Sequence, residues 1–254
     1  MTTKPILLTS IGILSLGVCG CGPSNKADNY KPKAVEKVAP VTIVAGKEAE
    51  LFPIKAGNTW VYAGETSQST SQGTRSSKTE VTFRVVDVTE TPDGKEATIE
   101  VSSDGTLSDR MKWRVGTNGV YQVAGSVRVS KDAPLKEAKF EPAIPIVPFP
   151  VKNGSEVIVN STGIRPGAGV GPFQAKVNVE GIQEVDTAMG RFSALSTLSE
   201  STYKEKGIQF KSATGAFWTP KIGIVRYLQE IVATNVDGKT ISSSSVLRLK
   251  SHTP

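Results

Sequence analysis

The sequence contains very little histidine and cysteine. Its 254 residues include one histidine, His252, and two cysteines, Cys19 and Cys21. A Ser-His-Asp triad needs a histidine held between a nucleophile and an acid, and His252 is so close to the chain end that we expect it to be frayed. Zinc sites commonly use several histidine or cysteine ligands. The composition therefore argues against triad hydrolases and His/Cys metal enzymes, and we expect no cofactor.

Cysteine is absent after Cys21, and clustered positive charge is absent throughout. An exported chain that starts at Cys21 would have no internal disulfide, so its core alone must stabilise it. The net charge is +6, but Lys and Arg recur mostly singly along the chain. Nucleic-acid binding needs a clustered basic footprint, and we do not expect it here. The 24 glycines and 15 prolines favour turns over long helices.

Residues 1–20 have the organisation of a signal peptide. Lys4 precedes the apolar run 6–18, which is short for a membrane helix of about 20 residues. The following LGVCGCG resembles a lipobox, in which a cysteine thiol receives lipid and the chain is cut before it. Cys21 is the predicted lipidated residue, because lipid on Cys19 would place the bulkier Val18 at the cut. The alternative is an ordinary secreted protein whose cysteines belong to its leader.

Residues 21–47 are predicted to be a flexible tether. Up to Pro40 they are polar and interrupted by prolines, a composition that cannot bury a core. Stable anchoring needs more than one acyl chain, and lipoproteins of the kind that this leader resembles carry several. Residues 41–44 are apolar enough to form a short strand docked on the body, which the sequence leaves open. We therefore expect an exported protein whose first partner is a bacterial membrane.

The remaining chain contains an internal similarity. In the first pair of aligned segments, Phe, Pro, Lys and Gly occupy matching positions. Two further pairs of segments follow in the same order, separated by nearly the same number of residues. Three ordered matches favour duplication of a unit of roughly one hundred residues, although one common turn chemistry used twice is an alternative. The first repeat is assigned to residues 48–146 and the second to 147–254. The aligned pairs are 52–62 with 149–159, 81–85 with 177–181, and 93–101 with 189–197.

Strand signals fill both halves. Residues 79–89 alternate apolar and polar side chains with the period of two that marks a half-buried strand. Hairpin turns are predicted at Asp93-Gly94, Asn118-Gly119 and Asp237-Gly238. No segment has the apolar spacing of an amphipathic helix. We predict an all-β fold of two twisted antiparallel repeats, as a barrel-like sheet or a sandwich.

Residues 52–62, FPIKAGNTWVY, resemble the opening strand of many bacterial exported lipoproteins of unknown function. Residues 185–192 resemble the Val-x-x-Pro-Ala-Gly-x-Phe turn of that family, and residues 217–226 resemble its closing element. Ala188 and Met189 replace the usual Pro and Ala, Lys221 replaces a Gly, and Val157 replaces the tryptophan in the second repeat. The resemblance covers most of residues 48–232. It implies an antiparallel β domain near the cell envelope and no known catalytic set.

Catalytic motifs are weak. Two carboxylates can act as acid and base, so Asp104 with Asp109, or Glu184 with Asp186, are possible pairs, although isolated surface acids are the simpler interpretation. The glycine-rich residues 167–171 lack the strand-loop-helix context of a phosphate loop and predict a flexible loop. The Ser/Thr-rich residues 66–79 predict a long solvated hairpin connection.

Trp60, Trp113 and Trp218 are the remaining candidates. Aromatic side chains could line a groove for acyl chains or sugars, but large aromatics are more often core. Residues 140–150 contain four prolines and predict an extended connector across a sheet edge, with a partner-binding strip as the alternative. The leading hypothesis is a non-enzymatic, membrane-anchored binding or scaffolding lipoprotein with an unknown envelope partner. A carrier of a hydrophobic ligand is second, and would need a deep apolar cavity. An envelope enzyme using carboxylates is third.

Overall fold

The computed structural model describes residues 41–127, 134–165 and 169–254. Twelve β-strands make up most of these residues, and the one helix among them is the short 3-10 segment Glu48–Leu51. The low helix content predicted from the sequence is confirmed for this part of the chain. The strands are β1 Thr59–Thr70, β2 Gly73–Thr91, β3 Gly94–Ser103, β4 Thr106–Gly116, β5 Gly119–Val127, β6 Lys136–Pro148, β7 Glu156–Arg165, β8 Gly169–Thr187, β9 Gly190–Glu205, β10 Ile208–Thr219, β11 Gly223–Thr234 and β12 Thr240–Thr253.

The strands form one closed antiparallel barrel. Each strand pairs with its neighbours in the sequence, and β1 pairs with β12 to close the sheet. The closing pair is long, running from Thr59 opposite Thr253 to Ser69 opposite Ser242. Closure removes the exposed edges that an open sheet would present. The predicted all-β class is confirmed, and the architecture is the barrel, not the sandwich.

The predicted hairpins are present. Strands β2 and β3 meet at the Pro92-Asp93 turn, β4 and β5 at Thr117-Asn118, and β11 and β12 across residues 235–239. Gly94 has a φ of 129°, and a Cβ there would lie 2.2 Å from the carbonyl oxygen of Val115. Glycine is therefore required at this turn by both conformation and space.

Residues 41–52, which we call the plug, close one end of the barrel. Leu51 and Phe52 are 1% and 3% exposed and belong to the main hydrophobic core. The Lys221 backbone N–H donates to the Glu50 carbonyl at 2.7 Å, and the Val41 N–H donates to Ser193 Oγ at 3.1 Å. The apolar start of the plug, whose docking the sequence left open, thus contacts the body without forming a strand. The predicted signal peptide, Cys21 and most of the tether lie outside the described residues.

The Ser/Thr-rich residues 66–79 are strand, not a connecting loop. They extend β1 and β2 into a hairpin whose turn is only Ser71-Gln72. Residues 70–78 are all exposed, so no packing on the barrel orders this tip. Its order comes from the ladder itself, helped by threonine, whose branched side chain favours strands. The hairpin projects at the barrel end opposite the plug, which we call the far end.

The proline-rich residues 140–150 mostly belong to β6 and are not a free connector. Strand β6 pairs with β5 along its length, but with β7 only through Glu141 opposite Thr162. Proline has no backbone N–H to donate to a ladder, and β6 contains Pro142, Pro145 and Pro148. We call this thinly bonded line the β6–β7 seam. Ser161 Oγ supplements it by donating to the Pro142 carbonyl at 2.8 Å.

The aligned halves contribute strands β1–β6 and β7–β12 to the same barrel, and the assigned boundary at residues 146 and 147 falls inside β6. Aligned turns carry the same backbone hydrogen bonds. The Gly57 N–H donates to the Val85 carbonyl at 2.8 Å, as the Gly154 N–H does to the Val179 carbonyl at 2.7 Å. The Thr91 and Thr187 hydroxyls likewise donate to the Gly94 and Gly190 carbonyls at 2.7 and 2.8 Å.

In the described part of the chain, no helix has the length and apolar character needed to cross a membrane.

Candidate ligand cavity

The three tryptophans meet around Phe52 at the plug end. The Phe52 ring lies 4.8 Å from Trp113, 5.7 Å from Trp218 and 5.8 Å from Trp60, measured between ring centroids. All three indoles are at most 4% exposed. All three tryptophans belong to the main hydrophobic core.

Trp113 differs from the other two tryptophans in the hydrogen bonding of its indole N–H. Trp60 Nε1 donates to the Ile222 carbonyl, and Trp218 Nε1 donates to Thr197 Oγ1 at 3.0 Å. Trp113 Nε1 is buried and has no acceptor among the described residues. A buried donor without a partner costs roughly 1–3 kcal/mol. Trp113 also lines an internal cavity.

The cavity lies inside the barrel, beyond the tryptophan cluster toward the far end. Its volume is about 190 Å³. A buried water needs only roughly 10–15 Å³, so the space is more than ten times that of one solvent molecule. Ten strands, β2 to β11, contribute lining side chains. Packed protein cores leave few voids larger than a water molecule, so this space is not an ordinary packing defect.

One wall of the cavity is apolar. Side chains from β6, β7 and β8 form most of it, and Phe140, Ile144 and Ala175 make a second small core cluster there, separate from the main core. Met111 and the rings of Phe83 and Trp113 continue this surface toward the plug end. The apolar residues of β6 to β8 that line the cavity are Phe140, Ile144, Pro145, Ile146, Ile164, Phe173 and Ala175.

The opposite wall is formed by hydroxyl groups. In β9 the inward side chains are Thr197, Ser199 and Ser201, while the outward neighbours Glu200 and Thr202 are exposed. Side chains alternate between the two faces of a strand, so β9 points serine and threonine inward. Strands β10 and β11 add Ser212, Thr214, Tyr227 and Gln229. Sequence reasoning missed this wall, because the usual period-two rule assigns polar residues to the solvent face.

Asp109 stands at the edge of this polar wall, on β4. Its Oδ1 accepts two hydrogen bonds, from the Ser126 hydroxyl and from the Arg110 backbone N–H at 2.7 Å. Burial raises the pKa of the Asp109 carboxyl above its ordinary value, although both of these hydrogen bonds oppose the shift. A carboxyl group whose charged form is disfavoured, inside a cavity, is a feature of functional sites.

Tyr227 faces the same space from β11. Burial raises the pKa of its phenol to about 12, with a smaller contribution from the Asp109 charge and an opposing hydrogen bond from Thr214. Its ring contacts Phe83 edge-on, at 6.4 Å between centroids. Tyr227 is therefore a neutral hydroxyl group at any physiological pH, and it joins the hydrogen-bonding wall without adding charge.

The candidate carboxylate pairs lie in different surroundings. Asp104 lies in the exposed β3–β4 turn, where its Oδ1 accepts the Glu80 backbone N–H at 2.8 Å, whereas Asp109 faces the cavity. Glu184 and Asp186 both pair with Arg191 on the barrel exterior, and Arg191 lowers the pKa of Asp186. The first pair is therefore divided between the exterior and the cavity, and the second pair lies outside the cavity. Among the described residues, no group of three or more potential ligands is arranged to hold a metal ion.

His252 is ordered, contrary to the expectation that it frays. It lies in β12 opposite Trp60, and the two rings stack with centroids 5.4 Å apart. Burial lowers the pKa of the imidazole below its ordinary value. The prediction failed because the chain end is itself a barrel strand, held by the closing ladder with β1. Nothing in the described chain gives this imidazole a serine and an acid for triad chemistry.

The comparisons with known proteins found solved structures only. No protein-family model and no curated protein sequence matches the chain. An inferred exported protein with a YmcC-like fold from Bacteroides fragilis is 16% identical, with 80% of this chain and 98% of that chain covered and a TM-score of 0.42. An inferred lipoprotein from Parabacteroides distasonis is 13% identical, with the same coverage and TM-score.

A third solved structure is described as an inferred outer membrane lipoprotein-sorting protein domain from Vibrio parahaemolyticus. It is 11% identical to this chain, covers 82% of it and 89% of its own length, and has a TM-score of 0.25. All three descriptions thus name export, a lipoprotein or lipoprotein sorting.

Proposed function

We propose that this protein is an exported, lipid-anchored envelope protein that binds a small amphipathic ligand inside its barrel. The observation that carries the proposal is the cavity of about 190 Å³, with an apolar wall from β6 to β8 facing a hydroxyl wall from β9 to β11. A ligand with a hydrocarbon part and a polar part fits both walls at once. Binding sites of this kind are mostly apolar with a few polar groups that fix orientation.

The leading hypothesis from the sequence was a non-enzymatic binding or scaffolding role, with a carrier of a hydrophobic ligand second, and a deep apolar cavity was the feature that would separate them. The cavity, one wall of which is apolar, therefore favours a protein that binds a ligand inside its barrel.

The envelope location rests on the leader, with Cys21 as the lipidated residue. Residues 21–40 would connect the lipid to the plug at Val41. Twenty extended residues reach roughly 66–72 Å, so the barrel could stand clear of a membrane surface. Because the plug lies at the closed end, the long β1–β2 hairpin would project away from the attachment point.

Duplication of the chain is part of the proposal. It is supported by the aligned turns, since Gly57 and Gly154 donate to equivalent carbonyls on β2 and β8. It is also supported by equal strand lengths, with 19 residues in each of β2 and β8. The hydroxyl wall from β9 to β11 belongs to the second half of the chain, whereas the apolar wall from β6 to β8 spans the junction of the two halves.

Ligand binding can be tested by filling the cavity. Ser201→Phe places a ring inside, whereas Thr202→Phe, the next residue on β9, places the same ring in solvent. We expect an uncharged fluorescent naphthylamine probe to bind the natural protein and Thr202→Phe alike, and to bind Ser201→Phe at least ten-fold more weakly. Equal binding by both variants, with both folded by circular dichroism, would contradict the proposal.

The anchor can be tested by intact mass and membrane fractionation in a bacterial host. The natural chain should begin at Cys21, carry the added mass of lipid and sediment with membranes. Cys21→Ala should lose the lipid and the membrane association. Release of both forms as soluble protein without lipid would show that the protein is freely secreted.

A further inference from the structure

We infer that the cavity selects amphiphiles with a cationic amine head group, and that Asp109 is the residue that receives it. This inference rests on the proposed function, because it specifies the class of ligand for the same cavity. Three features of the described residues carry it: the fixed carboxylate of Asp109 at the cavity wall, the absence of a balancing cation among the lining residues, and an apolar surface that continues along the same strand.

The first feature is the geometry of the Asp109 carboxylate. The carboxylate accepts hydrogen bonds from Ser126 Oγ and from the Arg110 backbone N–H, and the Ser126 backbone also hydrogen-bonds to it. Ser126 lines the cavity beside Asp109. The protein therefore holds the carboxylate in a fixed orientation at the cavity wall.

The second feature is electrostatic. Asp109 is the one charged side chain among the described residues that line the cavity, and none of them is Lys, Arg or His. Arg110, the next residue, instead pairs with Glu100, and the buried Arg165 of β7 pairs with Glu205 at 2.9 Å. A carboxylate or phosphate head would meet a negative group without a cation, and like charges at short range in a poorly hydrated site repel strongly.

An ammonium head would have the opposite effect. It would form a charge-assisted hydrogen bond with the Asp109 carboxylate, the stronger kind of hydrogen bond in proteins. It could also donate to the surrounding serine and threonine hydroxyls, which accept as readily as they donate. A bound cation would offset the burial that disfavours the ionised carboxyl. An amine would therefore balance the one acid among the described lining residues.

The third feature is the apolar surface that follows Asp109 along the same strand. Asp109, Met111 and Trp113 line the cavity from β4, and residues four apart on a strand are about 13 Å apart. A ligand with its amine at Asp109 can therefore lie with its hydrocarbon chain along Met111 and the Trp113 ring.

The test compares three amphiphiles that share one chain length and differ only in the head group: dodecylamine, dodecanol and dodecanoate, each below its critical micelle concentration. The protein is the full chain with Cys21→Ser, which keeps the barrel and lacks acyl chains that could compete for the cavity. Displacement of the naphthylamine probe at pH 7 gives the three affinities. We expect dodecylamine to bind at least ten-fold more tightly than dodecanoate, with dodecanol between them.

Variants identify the residue. Asp109→Asn keeps the shape and should lower dodecylamine affinity to the level of dodecanol. Glu230→Gln is the matched control, because it removes one negative charge from the exposed face of β11, next to the cavity residue Gln229. It should leave all three affinities unchanged.

The outcomes separate this inference from the proposed function. Failure of all three probes to displace the naphthylamine would contradict ligand binding itself. Displacement by all three with equal affinity, or with dodecanoate tightest, would keep the cavity as a binding site and overturn the assignment of Asp109. Because the ranking on the natural barrel does not depend on any substitution at Asp109, poor folding of Asp109→Asn would not remove the test.

Discussion

Phe52→Ala is expected to destabilise the protein strongly while leaving every strand pair of the barrel in place. Phe52 is in the plug, outside the strands, and its ring contacts all three tryptophans of the chain. The substitution therefore removes the aromatic centre of the plug end and touches no ladder hydrogen bond. It tests whether the plug is a structural part of the core or a loosely docked segment.

The magnitude follows from burial and ring contacts. Phe52 is 3% exposed, and burying a phenylalanine side chain contributes about 1.5–3 kcal/mol. Each aromatic pair adds roughly 0.5–1.5 kcal/mol beyond the buried area, and the vacated space can collapse only partly among three large indoles. The expected loss is about 3–5 kcal/mol. That is a large part of the roughly 5–15 kcal/mol that stabilises a typical domain.

Tryptophan fluorescence during guanidinium unfolding is the assay, since Trp60, Trp113 and Trp218 all report on this cluster. Ile158→Ala on β7 is the control, because Ile158 is 56% exposed and its loss should change stability by no more than about 0.5 kcal/mol. A loss below about 1 kcal/mol for Phe52→Ala would refute the argument. It would mean that the plug is not required for the core.

Three further predictions concern ionisation and the weakest line of the sheet. Burial lowers the pKa of His252, so its stabilising contribution should be present above about pH 6.5 and lost as pH falls through the lowered pKa of the folded state. Proton NMR of this sole histidine in untagged protein should give a pKa below 6.5. A value at or above 6.5 would contradict its burial. Burial raises the pKa of Asp109, so the folded state binds the carboxyl proton more tightly than the unfolded chain does, and the ionised group should lower stability above about pH 4. Asp109→Asn should therefore unfold at an equal or higher temperature at pH 7. An unfolding midpoint several degrees lower would refute this. Backbone amides along the β6–β7 seam should exchange with solvent faster than those of the β1–β12 closure, since one bridged pair, Glu141 with Thr162, joins β6 to β7; equal protection of both lines by hydrogen-exchange mass spectrometry would show that the seam is not weak.

Local sequence rules predicted the parts of the fold that depend on local chemistry. Asp93-Gly94 and Asn118-Gly119 predicted hairpins that are present, because a glycine with positive φ suits a tight turn wherever it occurs. The period-two pattern around Val81, Phe83 and Val85 predicted a strand whose apolar face is buried. Neighbouring residues along the chain carry all the information for these features.

The same rules failed where long-range pairing decides the structure. Residues 66–79 look like a loop by composition. They form strands because the two arms of this hairpin pair with each other across a turn of two residues. His252 looks frayed, yet β1, nearly two hundred residues earlier, holds it in a closing strand. Prolines in residues 140–150 argued for a connector, and β5 instead gives them a strand partner on one side only.

Glycine, proline and the alternation of apolar side chains fix the turns and buried faces of the described strands, and these signals are readable from the sequence. The cavity and the choice of side chains that face it depend instead on how distant strands pair. Ser199, Ser201 and Asp109 are polar residues that any local rule assigns to solvent. Closure of the twelve strands places them inside, because the face that a strand presents inward is set by the register of its neighbours and not by its own composition.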